Sequence, residues 1–132
     1  MLEQKPVYEE IAAKYKSKMK TEGKVVRIDA ECMYYKELNC LLREIIKDIS
    51  VEKIEIQNVC GQRYLGTDLN ANIQIGVWGT TGNDLGAFMS GPTIIVQGNA
   101  QDASGNTMND GTIVIHGHAG DLTGHSIRGG KI

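Results

Sequence analysis

His116-Gly117-His118, followed by His125, carries the side chains of a zinc site. On a strand, positions two apart face the same way, so the first two imidazoles could share an ion with the third. Such a site would activate water, as in a zinc hydratase. Asp102 and Asp121 are a second candidate, as two acids that could receive a cation or an arginine. Cys32, Cys40 and Cys60 are odd in number and widely spaced, which suits reduced thiols better than a disulfide framework or a clustered iron–sulfur ligand set. Lys14, Lys16, Lys18 and Lys20 could mark a phosphate-binding helix, although a solvated helix end is much the commoner explanation.

The composition restricts what those residues can serve. The chain has 132 residues, the size of one ordinary domain, and a net charge of −2. That balance gives no electrostatic case for nucleic acid or an anionic membrane. No apolar run reaches the length of a membrane span, and the first ten residues lack the apolar core of a signal peptide. A cytoplasmic location is therefore expected. Of the 16 glycines, 15 lie in residues 54–132, whereas residues 1–53 hold 21 of the 30 charged side chains. The shift marks a change of architecture near residue 53.

Residues 1–24 read as an N-terminal helix extension and 25–53 as a strand-helix cap. Val7, Ile11, Tyr15 and Met19 recur every four residues on one helical face, and Gly23 is placed to end that helix. Val25–Asp29 has strand propensity. Leu38, Leu41, Leu42, Ile45, Ile46 and Ile49 predict an amphipathic helix from about Tyr34 to Asp48. A strand over Val51–Val59 follows, so the two strands should be parallel.

Residues 54–132 repeat. Apolar triplets start at Ile54, Ile73, Ile94 and Ile113, and Ile132 begins a fifth, at separations of 19, 21, 19 and 19. Gly66, Gly86, Gly105 and Gly124 form a second column, at separations of 20, 19 and 19. A unit of that length with one short strand cannot bury its own apolar face, whereas stacked coils can. The pattern predicts a mainly β fold: a right-handed parallel β-helix of about four coils of 19–21 residues, treated with its helix-strand-helix cap as a single domain. Ile54, Ile73, Ile94 and Ile113 are expected in one ladder, with the second helix plugging the first coil. In this register His116, His118 and His125 fall under Gln97, Asn99 and Asn106, which favours a stacked polar corner over a metal site. Asp102 and Asp121 then share a column as exposed, solvated acids.

Gly61-Gln62-Arg63-Tyr64-Leu65-Gly66, Gly98-Asn99-Ala100-Gln101-Asp102, Gly117-His118-Ala119-Gly120-Asp121 and Arg128-Gly129-Gly130-Lys131-Ile132 resemble the glycine-repeat (GXGXG) domain. That domain forms the C-terminal β-helix of the glutamate synthase large subunit. Arg27 to Ile56 resembles the lead-in of stand-alone members, so the likeness covers roughly residues 25–132. Formylmethanofuran dehydrogenase contains a structural subunit with a related β-helix, but Gly82-Asn83-Asp84-Leu85-Gly86-Ala87-Phe88-Met89 is closer to the stand-alone glutamate synthase-like group. The resemblance implies a scaffold with no catalytic or cofactor-binding residues of its own. It implies partners in a flavin synthase domain and a glutamine amidotransferase subunit, with FMN and an iron–sulfur cluster held there. Met1-Leu2 precede Glu3, so the chain offers no terminal cysteine for amidotransferase chemistry. The chain stops two residues into a coil, which leads us to expect a short or truncated form that self-associates near residues 113–132. The alternatives are a structural subunit of another complex such as formylmethanofuran dehydrogenase, a free-standing solenoid, or the zinc enzyme.

Overall fold

The computed structural model describes the backbone of residues 4–132 and, in the first helix, side chains from Tyr8 onward. Helix α1 spans Gln4–Lys14 and a 3-10 turn spans Lys16–Lys18. Strands β1 (Met19–Glu22) and β2 (Val25–Asp29) form an antiparallel hairpin. Helix α2 (Tyr35–Ile45) leads to β3 (Lys53–Cys60), β4 (Gln74–Thr80), β5 (Ser90–Gln97) and β6 (Asp110–Ile115). The six strands lie in one sheet in sequence order, and every pair after the first is parallel.

This is the parallel β-solenoid that the repeat requires. It has about three strand-bearing turns rather than four, because the coil beyond β6 returns only through an isolated bridge between Thr112 and Lys131. Strand β2 acts as a rung beneath the first coil. The main ladder is Val26, Ile54, Ile75, Ile94 and Ile113; Ile28, Ile56, Val77, Val96 and Ile115 form a parallel one. All but Ile115 are buried.

Ile73 does not join Ile54 in the ladder; Ile75 takes that place, and Ile73 packs at the corner before β4. The first coil contains two extra residues. The β3–β4 register shifts between Ile56 and Val59, where Asn58 adopts φ 58°. The second addition precedes β4: Asn70 aligns with Ser90, but Gln74 aligns with Thr93. Since Ile73 and Ile75 are two apart and face the same way, the periodicity could not choose between them.

The N-terminal stripe is shorter than expected. Ile11 and Tyr15 are buried, Val7 lies outside the described side chains, and Met19 is on β1 rather than on the helix. Tyr15 leaves helical geometry, and Gly23 at φ 60° turns the hairpin instead of ending a helix. The hairpin gives β2 a hydrogen-bonded neighbour on its outer side. Helix α2 also stops early. Ile49 lies beyond it and is 97% exposed, because the Asp48 carboxylate accepts from Ser50 N and Oγ and closes a turn there.

Leu38, Leu41, Leu42 and Ile45 of α2 are buried against the first coil, so the helix plugs the solenoid as expected. Helix α1 rests on α2: the Tyr15 hydroxyl donates to Glu37 at 2.5 Å, and Lys14 Nζ lies 3.1 Å from the same carboxylate. Arg27 bridges Glu22 and Glu55, tying β1, β2 and β3 on their exposed face.

Candidate functional site

The polar residues of the coils are grouped at tight corners. Gly66, Gly86, Gly105 and Gly124 have φ between 64° and 76°. The N–H groups of Gly86, Gly105 and Gly124 donate to the coil before, to the carbonyls of Leu65, Leu85 and Ser104, at 2.7–2.8 Å. A Cβ on Gly66 would stand 2.9 Å from Ile94 Cδ1, and one on Gly86 would stand 3.0 Å from Ile113 Cδ1. The glycine column therefore faces the isoleucine ladder across the interior, which is why both carry one period.

Two further columns are left-handed without glycine. Tyr64, Asp84, Ala103 and Leu122 have φ of 58–63°, and Asp68, Phe88, Thr107 and Ser126 have φ of 54–62°. Tyr64, Asp84 and Ala103 donate their N–H groups to the coil after, to Asn83, Asp102 and Asp121 carbonyls at 2.8–3.0 Å. Asp68, Phe88 and Thr107 do the same toward Ala87, Asn106 and His125. Left-handed geometry in residues with a Cβ is strained, and in these six residues it is held by a bond between coils. No regular residue type occupies these columns, so they leave no mark on the periodicity.

The acid column has a structural role beyond solvation. Asp102 Oδ1 accepts from Asp121 N at 2.8 Å, and Asn83 Oδ1 accepts from Asp102 N at 2.9 Å. Asn99 Oδ1 accepts from His118 N at 2.8 Å in the same manner. Each side chain satisfies a backbone donor on the next coil, as an Asx group does in a turn.

His116 continues β6 beside β5, donating its N–H to the Val96 carbonyl at 3.0 Å. The His118 and His125 carbonyls accept from Ala100 and Thr107. All three imidazoles are exposed. Among the described residues, no group of three or more His, Cys, Asp or Glu side chains is placed to hold a metal ion. The structure thus puts these histidines in the stacked polar positions that the register gave them.

The seam between cap and first coil rests on two buried amides. Asn39 Nδ2 donates to the Tyr35 and Arg63 carbonyls at 3.0 and 3.1 Å, and its Oδ1 accepts from Gly66 N at 3.2 Å. Gln62 Nε2 donates to the Ala30 and Met33 carbonyls, both at 3.0 Å, while Oε1 accepts from Cys60 N at 2.7 Å. Sequence reasoning missed both. Asn39 had a signal: it is a polar residue between Leu38 and Leu41 on a buried helix.

An open cleft of about 900 Å³ lies at this seam, lined by the segment after β2 and the end of β3. It is lined by Glu31 to Tyr35, Gln57 to Gln62, Trp78 and Gly79. Arg63 stacks over Tyr35 at 5.0 Å, and Tyr34 meets Tyr35 edge-on at 5.0 Å. Asn58 donates to Asp29, and this bond, with a second from Glu31 N, holds the Asp29 carboxyl below its usual range.

A repeated corner, an isoleucine ladder and a helix plug define a capped parallel β-solenoid, with its polar groups largely committed to joining coils. The chain belongs to the GXGXG motif family, whose model matches residues 37–132. Among curated proteins it is similar to the uncharacterized protein MJ1350 of Methanocaldococcus jannaschii, with 52% identity over 84 residues. That match covers 62% of this chain and 32% of the relative, so the matched stretch spans about a third of that protein's length. No solved structure matches the chain. Among the described residues, no helix is long and apolar enough to cross a membrane.

Proposed function

We propose that this chain is a non-catalytic scaffold of a glutamate synthase-like oxidoreductase, serving glutamate biosynthesis and ammonia assimilation in the cytoplasm. The family match over residues 37–132 carries the reading. The corner chemistry supports it: Asn83, Asn99 and Asp102, polar groups of the kind a reaction centre uses, are bonded to backbone groups of neighbouring coils. The partners in this reading are a flavin synthase domain, which holds FMN and an iron–sulfur cluster, and a glutamine amidotransferase subunit. The chain supplies them with a rigid surface and takes no part in electron or ammonia transfer.

Affinity capture of the tagged chain from its native cell, followed by mass spectrometry, tests the proposal. Co-purification of a flavin synthase domain together with an amidotransferase is the expected result. Recovery of formylmethanofuran dehydrogenase subunits instead would overturn it. So would a stoichiometric flavin on the recombinant chain alone, since the flavin belongs to the partner in this reading.

A further inference from the structure

Two of the three cysteines line the cleft at the cap–coil seam. Cys32 and Cys60 are free thiols, both are exposed, and they come from the two chain segments that line it, 31–35 and 57–62. Cys32 sits in the turn closed by the Met33 N–H donating to the Ala30 carbonyl at 2.9 Å, and has φ 60°. Few residues with a Cβ are held in that conformation without a local reason.

The two segments are cross-tied by one side chain. Gln62 Nε2 holds the carbonyls on either side of the Cys32 turn, and Gln62 Oε1 holds the backbone N–H of Cys60. With standard amide dimensions, Cys60 N lies within about 8 Å of the Ala30 and Met33 carbonyl oxygens. That limit is wider than the roughly 4.4–6.8 Å between Cα atoms that a disulfide spans, and the exposed Cys32 turn supplies the movement that closes the bond. The third cysteine is placed differently. Cys40 is half-buried on α2, and burial raises its thiol above the ordinary range.

We propose that Cys32 and Cys60 are a dithiol site that reacts with a low-molecular-weight disulfide and closes into an intramolecular bond bolting the cap to the first coil. One thiolate attacks a sulfur of glutathione disulfide, forming a mixed disulfide and releasing one glutathione. The other thiolate attacks the protein sulfur of that mixed disulfide, forming the Cys32–Cys60 bond and releasing the second glutathione. The protein loses two hydrogens and two electrons, and the small disulfide gains them. The bond would fasten the turn after β2 to the end of β3, which Gln62 now joins by hydrogen bonds alone.

The test incubates the full chain with glutathione disulfide under native conditions and follows intact mass and peptide maps. The expected product has lost two hydrogens, carries no glutathione, and yields a cross-linked peptide containing Cys32 and Cys60. Cys40→Ser should oxidise like the parent, and Cys40 should react at least about tenfold more slowly than the pair. Cys32→Ser and Cys60→Ser should each stop at one stable glutathione adduct on the remaining cleft cysteine. The oxidised parent should melt at a higher temperature than the reduced one, a rise absent from both single variants. Glutathione retained on both cleft cysteines, a cross-link through Cys40, or no reaction at either cleft cysteine would each overturn the proposal.

Discussion

Asn39 Oδ1 stands to Gly66 N as the Leu65 carbonyl stands to Gly86 N: each supplies the acceptor that a glycine at the same corner requires from the layer below. The first coil has no coil beneath it at that corner. The helix provides the missing peptide group as a side-chain amide, with Nδ2 also meeting the Arg63 carbonyl. An apolar plug alone would have buried those backbone groups without partners.

Replacing Asn39 with Leu should therefore be costly, although Leu fits an apolar helix face. It leaves the buried Gly66 N–H without its acceptor, at roughly 1–3 kcal/mol, and removes the donor to the partly exposed Arg63 carbonyl. Urea denaturation measures this. An Asn39→Leu protein as stable as the parent would show that the amide does not close the first coil.

Ile94 and Ile95 are adjacent and the same residue type, but only Ile94 faces the interior. Ile94→Ala should lose about 2–5 kcal/mol, including the cavity left between Ile75 and Ile113. Ile95→Ala on the outer face should lose much less. Equal losses would contradict the ladder.

The solenoid was legible because the ladder and the glycine column touch across the interior, as Gly66 and Ile94 do, so their periods are physically coupled. The plug was legible because Leu38, Leu41, Leu42 and Ile45 share a helical face. Ile73 was misplaced because two isoleucines of one face cannot reveal an inserted residue. Met19 was misplaced because a four-residue spacing continues past a point where hairpin pairing outweighs helical propensity. The corners of Tyr64 and Phe88 were invisible: their left-handed backbone depends on bonds to other coils, not on their residue type. Asn39 and Gln62 were missed because their partners lie 24 to 32 residues away.

Gly98 and Gly23 separate two reasons for glycine. Both have positive φ values, 152° and 60°. A Cβ on Gly98 would overlap the Gly79 carbonyl oxygen, whereas one on Gly23 would meet nothing within 4 Å. Gly23→Ala should cost on the order of 1 kcal/mol, the conformational term alone. Gly98→Ala must also push two coils apart, so its loss should be clearly larger by the same denaturation measurement. Comparable losses would mean that the coils tolerate separation at that corner.

The docking of α1 on α2 should depend on pH through Glu37. The Tyr15 hydroxyl bond, and after it the Lys14 bond, holds the Glu37 carboxyl below its ordinary range despite an opposing effect of burial. A carboxyl with a depressed folded pKa contributes stability that is present above its unfolded value and is lost as pH falls through the folded one. The contact should therefore be intact at neutral pH and should loosen below the usual carboxylate range. Lys14 is raised by the same pair, mainly through its bond to Glu37, so its own contribution is present at neutral pH and lost only on strong alkalisation. Hydrogen exchange at the amides around Ile11 and Tyr15 reads this region separately from the coils. Glu37→Gln removes the charge but keeps an acceptor for Tyr15, so it should speed exchange there at neutral pH and abolish the acid-dependent step. An acid-dependent step that persists in Glu37→Gln would assign the titration to another group.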